Sequence, residues 1–289
     1  MKVAVMTDTN SGIMLDEAER LNIFCMPMPV IIDEENYIEG VNLSRARFFE
    51  RMAEGADVST SQPSPGELVE MWDDILEKGY DEIIYIPMSS GLSSAQKNAD
   101  FFAREYDGRI MIADNHRISV TQRQAVMDAI LLAQAGKGSA EIKEILEKTA
   151  YDSVVYLTVD TLDHLSKTGR VNATAANIGN VLGIKPLLKT TGGNFEVCSA
   201  TRGIKKAMSK MIEELREEIK ERFKGVDRSD LIIGTAGSFV DREDANRWCD
   251  IVSEAFPDIE VYYDKLSCSI SVHTGPNAMG AGISRKVRL

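Results

Sequence analysis

Short apolar runs alternate with polar turns and with stretches of helical spacing through the first half of the chain, the pattern of strands joined by helices. The clearest run is Ile83 to Ile86, four consecutive β-branched or aromatic residues that suit a strand covered on both faces. It passes through Pro87 and Met88 into Ser89, Ser90, Gly91, Leu92, Ser93 and Ser94, and then into a helix-tolerant stretch, Ala95 to Arg104. Further strands are expected at residues 2–6 and 109–113. Residues 23–32 read as one more, at an edge or irregular because Pro27 and Pro29 interrupt it. Helical spacing predicts helices at 15–21, 44–55, 66–78, 120–135 and 139–151. To about residue 150 the chain therefore reads as an open α/β domain with a largely parallel sheet.

A second α/β unit, residues 151–289, begins with the strand VVYLTV at 154–159. An apolar helix rich in small residues is expected at 173–182, and the small residues of 173–188 suit either close core packing or contact with a long apolar ligand. A long charged helix follows at 204–224, where Glu and Lys or Arg recur three and four residues apart. Then come a strand at 231–235, a helix at 241–256 and a strand at 259–263. Residues 266–283 read as a strand-like start, a polar turn from His273 to Asn277 and a glycine-rich end.

The length of 289 residues exceeds most single cores and agrees with two domains. A formal charge of −12 argues against nucleic acid or an anionic membrane as the main partner, so any bound anion needs a local site. No run approaches the roughly 20 apolar residues of a membrane span, and the start lacks the apolar core of a signal peptide, so a cytoplasmic protein without stable membrane insertion is expected. The four cysteines are far apart and read as small buried hydrophobes; the three histidines are too scattered to predict a metal site.

Candidate chemistry gathers where strands end. Asp8 follows the first strand within TDTNSG, the VSTSQPSP segment at 58–65 stacks hydroxyls beside two prolines, and SSGLSS follows the strand at 83–86. Such turns either cap helices or present N–H and O–H donors to an anion. His273 is followed by Thr274, Gly275 and Pro276, unusual for a core strand. A serine hydrolase is one alternative, but no G-x-S-x-G elbow occurs and nothing supplies an acid partner for the histidine. The phosphate-binding motifs G-x-x-x-x-G-K-[ST] and G-x-G-x-x-G are absent after the first strand, which counts against ATP or a dinucleotide.

Taken in order, TDTNSG, STSQPSP at 59–65, SSGLS at 89–93, LSKTGR at 165–170, IKPLL at 184–188, Arg202 and HTGPNAMG at 273–280 resemble the DegV family of bacterial fatty-acid-binding proteins over essentially the whole chain. The resemblance implies a two-domain α/β protein with a lipid tunnel between its domains, holding one long-chain fatty acid such as palmitate, stearate or oleate. It also implies a non-catalytic role: the acyl-binding subunit, monomeric when free, presents the carboxylate to a separate fatty acid kinase, and the acyl phosphate feeds phospholipid synthesis. A lipid-sensing protein without a kinase partner is the alternative. By matched motif, Thr60, Ser61 and Ser93 fall on the carboxylate; Ser90, Gly91, Arg170, His273 and Thr274 fall in the head-group region; and Arg202 falls on the kinase contact. No metal and no cofactor is implied. The chain departs from the family pattern at Thr168, where a glycine is usual, at Ser94–Ala95, at Asn277 and in NHRISVTQ after Asp114. If the family's first glycine takes a positive φ, Thr168 is strained by about 1–2 kcal/mol.

Overall fold

Strands buried on both faces have to sit between layers, and the first half of the chain builds one such sheet. The computed structural model describes residues 2–172, 183–239 and 241–289; the helix expected at 173–182 lies outside them. In chain order the elements are β1 (Val3–Asp8), α1 (Leu15–Leu21), β2 (Phe24–Met26), β3 (Pro29–Ile32), β4 (Glu35–Ile38), α2 (Arg45–Ala53), β5 (Val58–Thr60), α3 (Pro65–Glu77), β6 (Glu82–Ile86), α4 (Ala95–Ala103) and β7 (Ile110–Ile112). They continue with α5 (Val120–Gln134), α6 (Ser139–Lys148), β8 (Ser153–Thr158), α7 (Asp163–Lys167), β9 (Ile184–Thr190), β10 (Glu196–Arg202), α8 (Ile204–Glu221), β11 (Leu231–Gly237), α9 (Arg242–Ala255), β12 (Glu260–Lys265), α10 (Cys268–Thr274) and β13 (Met279–Arg285).

The first sheet has the order β2-β1-β6-β7 with every pairing parallel, as the alternating pattern requires. The second has the order β10-β9-β8-β13-β11-β12 and is mixed: only β11 and β12 run parallel. Residues 23–32 are not one strand. Between the two prolines the chain leaves β2, an edge strand of the first sheet, and enters β3, the centre of an antiparallel three-stranded sheet, β4-β3-β5. Pro29 opens β3, a position that tolerates a missing N–H. This small sheet buries Val30 and Ile32 with Phe48 and Phe49 of α2 against Cys268 and Val272 of α10.

Residues 268–274, expected as a strand-like start running into a polar turn at His273, form helix α10, with the Ser267 hydroxyl accepting from Ile270 N–H at 3.3 Å as an N-cap. Six of its seven residues are buried, so no apolar-polar alternation or helical stripe marks the segment. Cys25 and Cys268 are buried as expected, whereas Cys249 is half-buried and Cys198 exposed. Cys198 lies on β10, an edge strand with one side toward solvent.

Helix α5 packs against both large sheets. Ala125, Val126, Ala129 and Leu132 join the core beneath the parallel sheet. Val120, at its start, meets the mixed sheet, where Gly234 of β11 and Gly282 of β13 are paired neighbours. A β-carbon at Gly234 would lie 2.4 Å from Val120 Cβ and 2.8 Å from the Tyr262 hydroxyl, which itself donates to the Val120 carbonyl. Overpacking of a filled interface costs about 1–3 kcal/mol, so Gly234→Ala is expected to lower unfolding stability by that amount in urea titration. An unchanged midpoint would show that α5 is free to lift off the sheet.

Candidate functional site

A cavity of about 250 Å³ lies between the loops at the C-terminal ends of the parallel strands and the α5-facing side of the mixed sheet. Its wall is apolar over most of its extent, with Met28, Met88, Leu92, Ile118, Val120, Leu157, Phe195, Ala236 and Ile270 among the lining residues. Ligands of open α/β sheets gather beyond the carboxyl ends of the strands, where this cavity sits.

Six of the sequence-predicted residues line it together: Thr60, Ser61, Ser93, Arg170, His273 and Thr274. Thr60 ends β5 and reaches across to α10, its hydroxyl hydrogen-bonded to His273 Nε2 at 3.1 Å. Burial together with the nearby Arg170 charge pushes the His273 imidazole down to about 4, so the ring is neutral at physiological pH. Ser93 precedes α4; its hydroxyl accepts from Ala95 N–H at 3.2 Å and its own N–H donates to the Ser89 carbonyl at 3.1 Å. A local bond to the first N–H of α4 and a place in the cavity wall thus coexist at this serine. The cluster is one cation, one neutral imidazole and several hydroxyls, suited to orienting an anionic oxygen through hydrogen bonds.

Ser90 and Gly91 stand behind that wall. Ser90 N–H donates to Asp114 at 3.3 Å, and a β-carbon on Gly91 would lie 2.3 Å from the Gly192 carbonyl, so the glycine admits the turn between β9 and β10. The Ser89 hydroxyl donates to the same carbonyl. Arg202 does not line the cavity; it is exposed at the end of β10 and makes no ion pair among the described residues. Thr168 is unstrained, with φ −97°, and donates to the His164 carbonyl at 2.9 Å; the left-handed turn is made by Gly169 at φ +71°. Asn277 takes φ +56°, a conformation asparagine tolerates, and its amide reaches Asp160 at 3.2 Å.

Asp8 acts as an internal brace. Its carboxylate accepts from Met88 N–H and Asn10 N–H, both at 2.9 Å, and from the Gln122 amide at 3.2 Å, tying β1, the turn after β6 and α5 together. Burial outweighs these donors and raises its pKa to about 6. The sequence reading did not single out Asn10, Ser119 or Ser269 as wall residues, yet all three line the cavity. The strand-end rule reaches the first two, but Ser269 was hidden by the extended reading of α10.

The family model described as "Uncharacterised protein, DegV family" matches residues 2–286, and the chain belongs to that family. Among curated relatives, a DegV domain-containing protein of Deinococcus radiodurans is 30% identical over 285 residues, covering 98% of each chain. A DegV family protein of Thermus thermophilus, described as binding fatty acid, superposes with a TM-score of 0.88 at 25% identity, over 99% of this chain and all of that one. DegV of Bacillus subtilis, described as a fatty acid binding protein, gives 0.84 at 28% identity over 99% of this chain and 100% of its own. The parallel first sheet and mixed second sheet are thus those of the DegV fold.

The neutral imidazole generates a pH test. Between about pH 4 and its ordinary 6.5, His273 binds fewer protons folded than unfolded, so its contribution to stability is complete above 6.5 and is lost as pH falls toward 4. At about 1.4 kcal/mol per pH unit the loss is up to roughly 3 kcal/mol. The stability difference between the wild-type chain and His273→Gln, followed by urea unfolding from pH 7 to 4, should shrink across that window. Asp8 and Asp264, also raised to about 6, are present in both chains and drop out to first order. A pH-independent difference would mean that the folded ring titrates normally.

Proposed function

We propose that the chain binds one long-chain fatty acid, such as palmitate, stearate or oleate, in this cavity and presents its carboxylate to a separate kinase subunit for ATP-dependent phosphorylation. The observation that carries the reading is the grouping of Thr60, Ser61, Ser93, Arg170 and His273 on the wall of an otherwise largely apolar cavity. The fatty-acid-binding relatives of Thermus thermophilus and Bacillus subtilis support it. Burying roughly 14 methylenes at about 0.8 kcal/mol each offers about 11 kcal/mol before ordering costs. Affinity can then come from the tail, while the hydroxyls set the position of the head. In this reading the protein is a non-catalytic subunit, and its bound acyl phosphate passes on to phospholipid synthesis.

Lipid extracted from the purified chain should contain about one long-chain fatty acid per protein by mass spectrometry; a chain purified without lipid that also fails to bind palmitate would end the proposal. A hydrogen bond to a charged acceptor is worth about 1.5–3 kcal/mol, so Ser93→Ala should weaken palmitate binding by tenfold or more without abolishing it. Acyl-phosphate formation with the partner kinase should fall further, because phosphoryl transfer depends on alignment of the attacking oxygen. Unchanged phosphorylation in both Ser93→Ala and Thr60→Ala would return these residues to structural roles. Arg202, exposed and unpaired among the described residues, is suited to a bidentate contact with an acidic or phosphate group. Arg202→Ala should therefore leave palmitate affinity intact and reduce kinase-coupled turnover, whereas equal loss of both would place the arginine at the ligand.

A further inference from the structure

The cavity contains a second polar group, separate from the Thr60–His273 cluster. Asn10, Ser119 and Ser269 are 2%, 7% and 5% exposed, and all three line the wall. The Ser269 hydroxyl donates to Asn10 Oδ1 at 2.6 Å, and Ser119 N–H donates to the Asn10 carbonyl at 3.0 Å. Donor capacity is left over at Ser119. The Asn10 amide is engaged by the Met88 thioether at 3.0 Å, a weak acceptor, and by the Asp8 carboxylate. The Ser119 hydroxyl makes no hydrogen bond among the described residues, and its backbone is held at φ +54°, ψ −132°, a sparsely populated conformation for a residue with a side chain. An unclaimed hydroxyl kept in place by strained backbone inside a ligand cavity calls for a polar partner.

The chemistry of that partner follows from charge. The cation of the cavity, Arg170, belongs to the His273 cluster, whose imidazole feels its field. Beside Asn10 the charged group is the buried Asp8 carboxylate, which accepts the Asn10 N–H at 2.9 Å. A second anion would be repelled there, whereas an uncharged oxygen would not. Position follows from α10. Ser269 and His273 are four residues apart on one helix face, so the two clusters are separated by about 6 Å along its axis. With C–C bonds of about 1.5 Å, an extended chain spans that distance in roughly four to six carbons.

We propose that Asn10, Ser119 and Ser269 form a second recognition point for an uncharged oxygen substituent, of the hydroxyl class, carried on the acyl chain several carbons from its carboxylate. The inference rests on the fatty-acid reading of the cavity. Its test uses the full chain freed of lipid, with palmitate and a series of hydroxypalmitates bearing the hydroxyl on successive carbons. Binding is measured by calorimetry. A site built to hydrogen-bond a hydroxyl disfavours the analogue lacking it, so the isomer substituted near the fifth carbon should bind about tenfold or more tighter than palmitate. Ser119→Ala and Ser269→Ala should each bring that ratio down to within about threefold. If Ser119→Ala fails to fold, Ser119→Gly removes the same hydroxyl and accommodates the positive φ. A ratio preserved in these variants, or palmitate bound as tightly as every isomer, overturns the second recognition point and leaves the fatty-acid reading standing. Absence of binding by palmitate and by the whole series overturns both.

Discussion

One helix serves two sheets, and the close seating of its first turn makes this possible. Val120 and Thr121 at the start of α5 rest where Gly234 and Gly282 form a cross-strand pair in the mixed sheet, while Ala125, Val126 and Ala129 pack beneath the parallel sheet. Side chains two residues along a strand share a face, so the next pair on the same side is Ala236 and Gly280, and both line the cavity. Small residues thus do two things on one surface. Under the helix they remove steric resistance to close approach, and beyond its end they leave the floor low enough for a cavity.

The polar apparatus depends on the same junction. Asp8 draws together the end of β1, the turn after β6 and Gln122 of α5 through its buried carboxylate. Arg123, one residue further along α5, pairs with Glu17 near the parallel sheet and with Asp264 of β12 in the mixed sheet, the latter at 3.2 Å. Breaking one side of such a partly buried arrangement leaves charge without a partner, which is costlier than the pair itself is stabilising. The two sheets are therefore held in a defined relation by packing and by charge at the same helix. Residues as far apart in sequence as Thr60 and His273 can then meet within hydrogen-bond distance.

The Thr60–His273 cluster shows a division between charge and geometry. His273 is neutral, so it orders Thr60 without adding a second cation, and Arg170 supplies the positive charge from the loop after α7. Ser93 is placed by local bonds in the turn before α4. Groups fixed in this way by short local bonds hold an anion with little reorganisation, which matters more for where an oxygen sits than for how tightly a long apolar chain is retained.

Much of the architecture was readable from local pattern. Consecutive β-branched residues, helical periodicity and hydroxyl-rich strand ends mark β1, β6, β7, β8 and most helices, while the family resemblance of the ordered motifs implied that Thr60, Ser61, Ser93, Arg170 and His273 share one neighbourhood. Tertiary structure decided what periodicity does not encode. The prolines at 27 and 29 signalled irregularity but not that β2 and β3 belong to different sheets, because sheet membership depends on partners distant in sequence. Nearly complete burial erased the pattern that would have marked α10 as a helix, and with it the place of Ser269. The opposition of Gly234 to Gly282, and the strained Ser119 above them, arise only when strands from separate parts of the chain come into register. Local sequence determines which conformations a segment favours, but a cavity is bounded by surfaces from many segments, and its shape exists only after long-range packing brings them together.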